Sequence, residues 1–103
     1  IKNIVDYILP KSGEGPSETK RINGYYNLRF YLTVGNKTYL SKVIGDMDPG
    51  YGSTSKMLAE SAVCLALDKT PERFGILTPS VGLGDSLLKR LQENAGLTFE
   101  SNI

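Results

Sequence analysis

The chain has 103 residues, none of which is histidine, and its single cysteine is Cys64. Without histidine, the chain alone cannot form a Ser-His-Asp or Cys-His catalytic site, or a zinc site with imidazole ligands. A single cysteine excludes an intrachain disulfide and is typical of a reducing compartment, so we expect a cytoplasmic location. The apolar neighbours of Cys64 indicate a small core residue rather than a reactive thiol.

Charge imbalance and long apolar runs are also missing. Lys and Arg number 12 and Asp and Glu number 11, which gives a formal net charge of +1, and the basic residues do not cluster. This distribution lacks the basic patch of nucleic-acid-binding proteins. No stretch approaches the roughly 20 consecutive apolar residues of a membrane-spanning helix. We therefore expect neither a nucleic-acid partner nor a membrane span.

The length allows a single domain, residues 1–103, and a hydrophobic content of 40% is enough for a modest core. The chain starts with Ile1 rather than Met, and an apolar stripe with helical spacing continues at Ile4, Val5 and Ile8. We predict a helix over residues 2–9 and interpret the chain as a piece of a longer polypeptide. Residues 10–20 have the composition of a loop, and they fit either a surface loop or a linker between domains.

Alternating apolar and polar residues predict a half-buried strand of an antiparallel sheet over residues 22–34. Gly35 and Asn36 suit a two-residue hairpin turn with positive φ, so residues 37–44 are the predicted return strand. A tight turn places on one face the pairs Val34 and Lys37, Leu32 and Tyr39, Phe30 and Ser41, and Leu28 and Val43. The residues expected on the core side are Phe30, Leu32, Tyr39 and Val43.

Residues 45–68 are the most informative part of the sequence, because a turn rich in proline and glycine leads directly into a segment that is apolar on nearly every side. A helix of this kind is buried in a folded protein. Ser53 is the best candidate for its N-cap, and the helix should end near Asp68. The turn is therefore expected to lie at the edge of the core on a rigid element.

The last third of the sequence contains the signals of a second long helix and a final strand. Residues 75–77 are a short apolar run that predicts a minimal strand. Thr78 and Pro79 suit a helix start, Gly96 suits a left-handed helix end, and residues 97–101 alternate as a strand does. The apolar stripe of this helix comprises Leu83, Leu87, Leu88 and Leu91. The predicted class is α+β, with a small antiparallel sheet built on a hairpin and helices packed on one face.

The turn before the first long helix is the candidate functional site. Free N–H groups and the positive end of the helix dipole attract a phosphate or a carboxylate there, with packing of Tyr51 across the helix end as the alternative. Asp46 and Asp48 suit either a paired-carboxylate site or turn formation. We predict that Tyr51 and Thr54 contact a ligand while Asp48 and Ser53 fix the turn. The full set of predicted substrate-facing residues is Asp48, Gly50, Tyr51, Ser53 and Thr54, with no catalytic residue and no metal ligand assigned.

The sequence contains no nucleotide-binding motif of its own. Gly82 and Gly84 match the first half of a dinucleotide fingerprint, but Leu87 occupies the position of the third glycine. The glycines at positions 13 and 15 lack the Gly-Lys-Ser/Thr ending of a phosphate loop. We therefore expect no cofactor-binding residue in this chain.

Three motifs in a fixed order resemble one family over most of the chain. They are GEGPS at 13–17; DPGY at 48–51, followed by KMLAESAVCLALD at 56–68; and GILTPSVGLGDSLLKRL at 75–91, followed by GLTFE at 96–100. The combination is similar to the carboxyl-terminal part of the saccharopine dehydrogenase-like oxidoreductases, a group that includes the trans-acting enoyl reductases.

This resemblance implies a two-part enzyme, in which an amino-terminal Rossmann domain binds NAD(P) and a second α+β domain serves substrate binding and self-association. The chain would then be the carboxyl-terminal, substrate-side and dimerisation domain of a hydride-transferring oxidoreductase. Its expected partners are its own Rossmann domain, a second copy in a homodimer and an unknown small-molecule substrate. We expect the isolated chain to be inactive. The residues alone leave open a second hypothesis, a stand-alone binding or assembly module without enzymatic activity.

Overall fold

A computed structural model describes residues 13–102, and the predicted helix over residues 2–9 lies outside this range. The described elements are α1 (Glu18–Asn23), β1 (Tyr26–Val34), β2 (Lys37–Gly45), α2 (Gly52–Leu67), α3 (Pro79–Asn94) and β3 (Leu97–Ser101). The three strands form one antiparallel sheet in the order β1-β2-β3. The predicted α+β class is therefore confirmed. None of the helices in this part of the chain is long and apolar enough to cross a membrane.

The β1–β2 hairpin has the predicted register. Val34 lies opposite Lys37 and Leu28 lies opposite Val43, and every residue between them has a single partner. In the two-residue turn, Gly35 has a φ of 59°, whereas no non-glycine residue of the described chain has a positive φ. This combination is that of a type II′ turn, whose twist matches the flanking strands.

The start of β1 differs from the prediction. The strand begins at Tyr26 rather than at residue 22, because Glu18–Asn23 form the short helix α1. The N–H of Lys20 donates to Ser17 Oγ at 3.4 Å, so Ser17 caps this helix. Helix α1 also takes up residues 18–20 of the predicted loop or linker.

The helices contact the sheet at one end of the hairpin. Tyr26, at the start of β1, reaches the first turn of α2, and α3 packs on β3. Further along the hairpin, Phe30 and Leu32 are 54% and 55% exposed, while Tyr39 and Val43 are partly buried. The prediction that these four residues line a core is therefore wrong for Phe30 and Leu32, because the described helices do not extend over this part of the sheet.

The core lies between α2 and α3. Cys64, Leu83 and Leu87 are buried there together, and Leu91 packs against them while partly exposed. The interpretation of Cys64 as a core residue is confirmed, as is most of the leucine stripe of α3. Leu88, the remaining leucine of that stripe, is exposed.

Helix α2 ends at Leu67 as expected, but it is not the fully buried helix that its sequence predicts. Of its residues, Gly52, Ser53 and Cys64 are buried. By contrast, Leu58 and Leu65 are 71% and 68% exposed. The reason is that α3 covers one side of α2, while no element within residues 13–102 covers the other side.

Helix α3 starts as predicted, with Thr78 before its first turn and Pro79 within it. A kink that the sequence analysis missed divides the helix at Gly84, where φ is 57° and ψ is −143°. Gly96 has a φ of 69°, so the predicted left-handed helix end is confirmed. The predicted strand over residues 75–77 is wrong, because Gly75 has a φ of 117° and turns the chain away from an extended path.

Candidate functional site

The turn that leads into α2 is closed by the carboxylate of Asp48. Asp48 Oδ2 accepts hydrogen bonds from the N–H of Tyr51 at 2.7 Å and the N–H of Gly52 at 2.9 Å. Asp48 Oδ1 accepts a third from the N–H of Gly50 at 3.2 Å. The backbone carbonyl oxygen of Asp48 accepts from the N–H of Ser53 at 2.8 Å. Asp48 thus satisfies N–H groups that a helix start leaves without intrahelical partners.

These contacts change the interpretation of the helix start as an anion site. The hydrogen bonds from Gly52 and Tyr51 hold the pKa of Asp48 below its ordinary value. The carboxylate is therefore ionised at neutral pH, and it is itself the anion at the helix N-terminus. A phosphate would have to displace it, so we assign no anion site to this turn.

Ser53 lies inside the first turn of α2 rather than at its N-cap. Tyr51 occupies the N-cap position and makes no side-chain cap hydrogen bond. The predicted capping role of Ser53 is wrong, because Asp48 already bonds the N-terminal N–H groups. Ser53 is fully buried instead, and its Oγ lies 2.8 Å from the phenol oxygen of Tyr26. This hydrogen bond ties the start of α2 to the start of β1.

Thr54 and Ser55 turn their hydroxyl groups back to the backbone. Thr54 Oγ1 donates to the C=O of Pro49 at 2.7 Å. Ser55 Oγ donates to the C=O of Gly52 at 2.9 Å. The Thr54 side chain is exposed, and its oxygen keeps lone pairs that can accept from a ligand. In this structure, however, its hydroxyl proton is used within the turn.

Tyr51 presents its ring beside a groove between the turn and α1. The ring lies against the backbone at Gly15, where an added Cβ would come within 3.2 Å of it. The groove has a volume of about 400 Å³ and is lined by Glu18, Arg21, Ile22, Met47, Tyr51, Gly52 and Ser55. The carboxylate of Glu18 and the guanidinium of Arg21 therefore line the same groove as Tyr51.

The end of α1 holds the turn from outside. The N–H of Asp48 donates to the C=O of Arg21 at 3.0 Å. A Cβ on Gly24 would lie 2.7 Å from the backbone of Asp48. This close approach requires glycine at position 24, since any larger residue would push the turn away from α1.

Asp46 and Asp48 do not share a site. Asp46 forms an ion pair with Lys56 at 3.6 Å, and it lies over Gly96 so closely that a Cβ there would overlap its carboxylate. Asp48 is bonded to the backbone, and its pKa is lowered rather than raised. The two carboxylates therefore bond different groups, so the paired-carboxylate interpretation is not supported.

A second polar cluster, which the sequence analysis missed, joins α2 to α3. Arg90 Nη2 donates to Asp68 Oδ1 at 2.9 Å, and Arg90 Nη1 donates to Glu60 Oε2 at 3.2 Å. Asn94 Nδ2 donates to the same Glu60 oxygen at 3.3 Å. The hydrogen bonds from Arg90 lower the pKa of Asp68, and the two carboxylates raise the pKa of Arg90. This cluster braces the two helices against each other.

The signal for this brace is weak in the sequence. Arg90 and Asn94 lie one turn apart on α3, which places them on one face of that helix. Which face of α2 they meet depends on how the helices pack, and periodicity does not specify that. Burial raises the pKa of the nearby Cys64 thiol, so this cysteine stays protonated and unreactive at neutral pH.

The described residues contain neither a cluster of three metal-ligating side chains nor a helix start with the geometry of a dinucleotide fingerprint. No group of three or more His, Cys, Asp or Glu residues within 13–102 is placed to hold a metal ion. A dinucleotide fingerprint needs a helix start whose N–H groups face the pyrophosphate. At α2 those groups bond Asp48, and at α3 the glycines at 82 and 84 lie within the helix rather than before it. The expectation that NAD(P) binds outside this chain stays a prediction.

The chain is similar to part of several longer mycobacterial proteins. It is 40% identical over 103 residues to a Mycobacterium tuberculosis H37Rv protein named "Putative trans-acting enoyl reductase Rv2449c", a match that covers 97% of this chain and 24% of that protein. It is 38% identical over 92 residues to a Mycobacterium ulcerans protein named "Trans-acting enoyl reductase", covering 86% of this chain and 22% of that protein. A Mycobacterium leprae protein of the same name is 37% identical over 93 residues, covering 87% and 22%.

The chain thus spans about a quarter of the length of the curated relatives it matches. No protein-family model matches it. No solved structure matches it either. The matches support homology to proteins named trans-acting enoyl reductases, while the wider link to the saccharopine dehydrogenase-like oxidoreductases stays a prediction.

Proposed function

We propose that the chain is the carboxyl-terminal, substrate-side domain of a cytoplasmic oxidoreductase of the trans-acting enoyl reductase type, within the saccharopine dehydrogenase-like group. The observation that carries the proposal is the 40% identity along 97% of this chain to a protein of which it spans 24%. In this proposal NAD(P) binds to an amino-terminal Rossmann domain, and the present chain does not catalyse a reaction alone.

Enoyl reduction adds a hydride to one carbon of an activated double bond and a proton to the other. A nicotinamide cofactor held by the amino-terminal domain would supply the hydride, and the protein would supply orientation and electrostatics. We assign Tyr51 and Thr54 to polar contacts with the substrate, because both are exposed on the turn. Asp48 and the buried Ser53 hold that turn in place.

The outer side of α2 supports a permanent neighbour. The charged residues of this helix are Lys56 and Glu60, and they pair with Asp46 and Arg90 respectively. The exposed residues of the outer side are uncharged: Leu58, Ala59, Ala62, Leu65 and Ala66. Apolar surfaces depleted of charge are typical of permanent interfaces. We assign this side of α2 to the contact with the remaining part of the longer polypeptide.

Titration with NADPH distinguishes a domain that lacks the cofactor site from a chain that is an enzyme by itself. We expect the longer polypeptide to bind NADPH and to reduce an enoyl substrate, and the isolated chain to do neither. Submicromolar NADPH binding or turnover by the isolated chain would contradict the proposal. A longer reading frame without a strand and glycine-rich turn would favour the alternative, a stand-alone binding or assembly module.

The substrate-facing role of Tyr51 is tested in the longer polypeptide with Tyr51→Phe. Loss of one hydrogen bond to the substrate should raise KM by roughly tenfold with a smaller effect on kcat. Tyr25→Phe is the matched control, because Tyr25 is also an exposed phenol but lies outside the turn. Equal kinetics for the two variants would remove Tyr51 from the substrate site.

A further inference from the structure

The two edges of the sheet differ in their protection. β3 forms one edge with five residues, and α3 packs beside it. β1 forms the other edge with nine residues, contains no proline and pairs with β2 without a bulge. Natural proteins shorten, charge, kink or cover their edge strands, because an open edge pairs with other strands. Within residues 13–102, β1 has one charged residue, Arg29, and none of the other protections.

The outward backbone groups of β1 belong to Asn27, Arg29, Tyr31 and Thr33. A two-residue turn makes Val34 and Lys37 a hydrogen-bonded pair, so alternate residues back along β1 point their N–H and C=O groups at β2. The chain after β3 confirms this alternation of inward and outward backbone groups, because the N–H of Asn102 donates to the C=O of Leu40 at 3.1 Å. Leu40 therefore faces β3, and its partner Tyr31 faces outward. The outward groups have no hydrogen-bond partner in the described part of the chain.

We propose that β1 pairs antiparallel with β1 of a second copy of this chain, around a two-fold axis at Phe30. In this register Phe30 meets its own copy and Leu28 lies opposite Leu32. The outward groups also meet each other, because Asn27 lies opposite Thr33 and Arg29 lies opposite Tyr31. The result is a continuous six-stranded antiparallel sheet with an isologous interface.

The strand is self-complementary in this register. A shift of two residues toward the start of β1 would place Arg29 opposite Arg29, and like charges directly opposite are unfavourable. A shift in the other direction would pair residues 28–34 and leave Tyr26 and Asn27 of each copy without partners. In the proposed register the guanidinium of Arg29 lies beside the ring of Tyr31, where a cation–π contact adds to the hydrogen bonds.

The same pairing joins two apolar surfaces. A two-fold axis perpendicular to the sheet keeps the apolar side of both copies on one face, so Leu28, Phe30 and Leu32 of the two copies become neighbours. Each of these side chains is about half exposed in the single chain, and cross-strand apolar pairs stabilise a sheet. The inference rests on the proposed function, because the homodimer is an expectation from the family resemblance, and it names the surface on which that dimer would form.

The test is a pair of substitutions at Tyr31, because its N–H points away from β2. Tyr31→Pro removes that N–H and leaves the β1–β2 hydrogen bonds in place, whereas Tyr31→Val keeps the N–H and the preference for a strand. The oligomeric state of the chain is measured by light scattering across a micromolar to millimolar dilution series. We expect the unmodified chain to be a dimer. Tyr31→Pro should raise the dissociation constant of the dimer roughly fiftyfold or more, and Tyr31→Val should raise it by no more than about fivefold.

Hydrogen exchange keeps the proposal testable even where Tyr31→Pro fails to fold. In the unmodified chain, the amides of Asn27, Arg29, Tyr31 and Thr33 should exchange more slowly as concentration rises. The proposal would be overturned by a chain that stays monomeric at every concentration or by unchanged exchange at these four amides. An equal loss of dimer affinity in the two variants would also overturn it. None of these measurements involves NADPH, so failure here leaves the proposed enzymatic parent standing.

Discussion

At one end of the β1–β2 hairpin, polar and apolar groups are enclosed together. Tyr26 reaches the buried Ser53 there, and Asp48 closes the start of α2. We call this end, residues 45–54 with Tyr26, the helix-start corner. At the other end the hairpin arm, residues 28–43, continues beyond the helices, and its side chains Leu28, Phe30 and Leu32 are each about half exposed. The same two strands therefore pack against the helices at one end and are exposed at the other.

The difference follows from the lengths of the elements. A nine-residue strand spans roughly 30 Å, and the described helices contact the start of β1 and the short strand β3. Substitutions in the corner or the adjoining core should therefore lower the free energy of unfolding. Substitutions in the arm should affect association and leave the single chain folded.

The largest expected effect comes from the core behind the corner. Leu87→Ala removes a buried side chain between α2 and α3, and such changes cost about 2–5 kcal/mol of unfolding free energy because a cavity remains. Leu32→Ala in the arm is the matched control, since Leu32 is half exposed, and we expect about 0.5 kcal/mol or less. Urea unfolding at a concentration where the chain is monomeric measures both.

The test is which of the two variants loses more unfolding free energy. If Leu87→Ala is unfolded from the outset while Leu32→Ala is folded, the order is the expected one. If Leu32→Ala costs as much as Leu87→Ala, the arm is packed against something in the single chain, and the comparison between the two regions fails.

The next effect concerns the hydrogen bond between Tyr26 and Ser53. Tyr26→Phe leaves the buried Ser53 hydroxyl without this partner, which should cost about 1–3 kcal/mol of unfolding free energy. Tyr25→Phe removes the same atom from an exposed neighbour and should be close to neutral. Thermal or urea unfolding of both variants gives the comparison, and equal stabilities would show that the corner does not depend on this contact.

The hairpin and the ends of α3 were predictable because their signals are local. Alternation with Gly35-Asn36 specified the register of β1 and β2, as observed. Thr78-Pro79 specified the start of α3, and Gly96 specified a left-handed residue after it. In each case neighbouring residues determine the backbone, so no knowledge of distant packing was needed.

The corner was predicted less well because several groups compete for the same contacts there. Ser53 has the chemistry of an N-cap, but Asp48 reaches the N–H groups and Ser53 turns to Tyr26 instead. The Arg90 cluster depends on which faces of two helices meet, and composition does not specify this. The apolar sequence of α2 predicted a buried helix, but it does not specify which element covers each side. Within residues 13–102 only α3 covers α2, so its outer side is exposed.

The smallest effect tests Asp48 through pH. Backbone hydrogen bonds lower the pKa of Asp48 in the folded chain below its ordinary value of 3.8, so the unfolded chain binds its proton more readily. Its contribution to stability is therefore present above pH 3.8 and is lost as the pH falls through that value and on to the lower folded pKa. Asp48→Asn should be less stable than the unmodified chain at neutral pH, and the difference should shrink on acidification. Asp85→Asn changes the net charge equally from an exposed position. If its stability difference from the unmodified chain shrinks on acidification in the same way, the effect comes from overall charge rather than from the hydrogen bonds of Asp48.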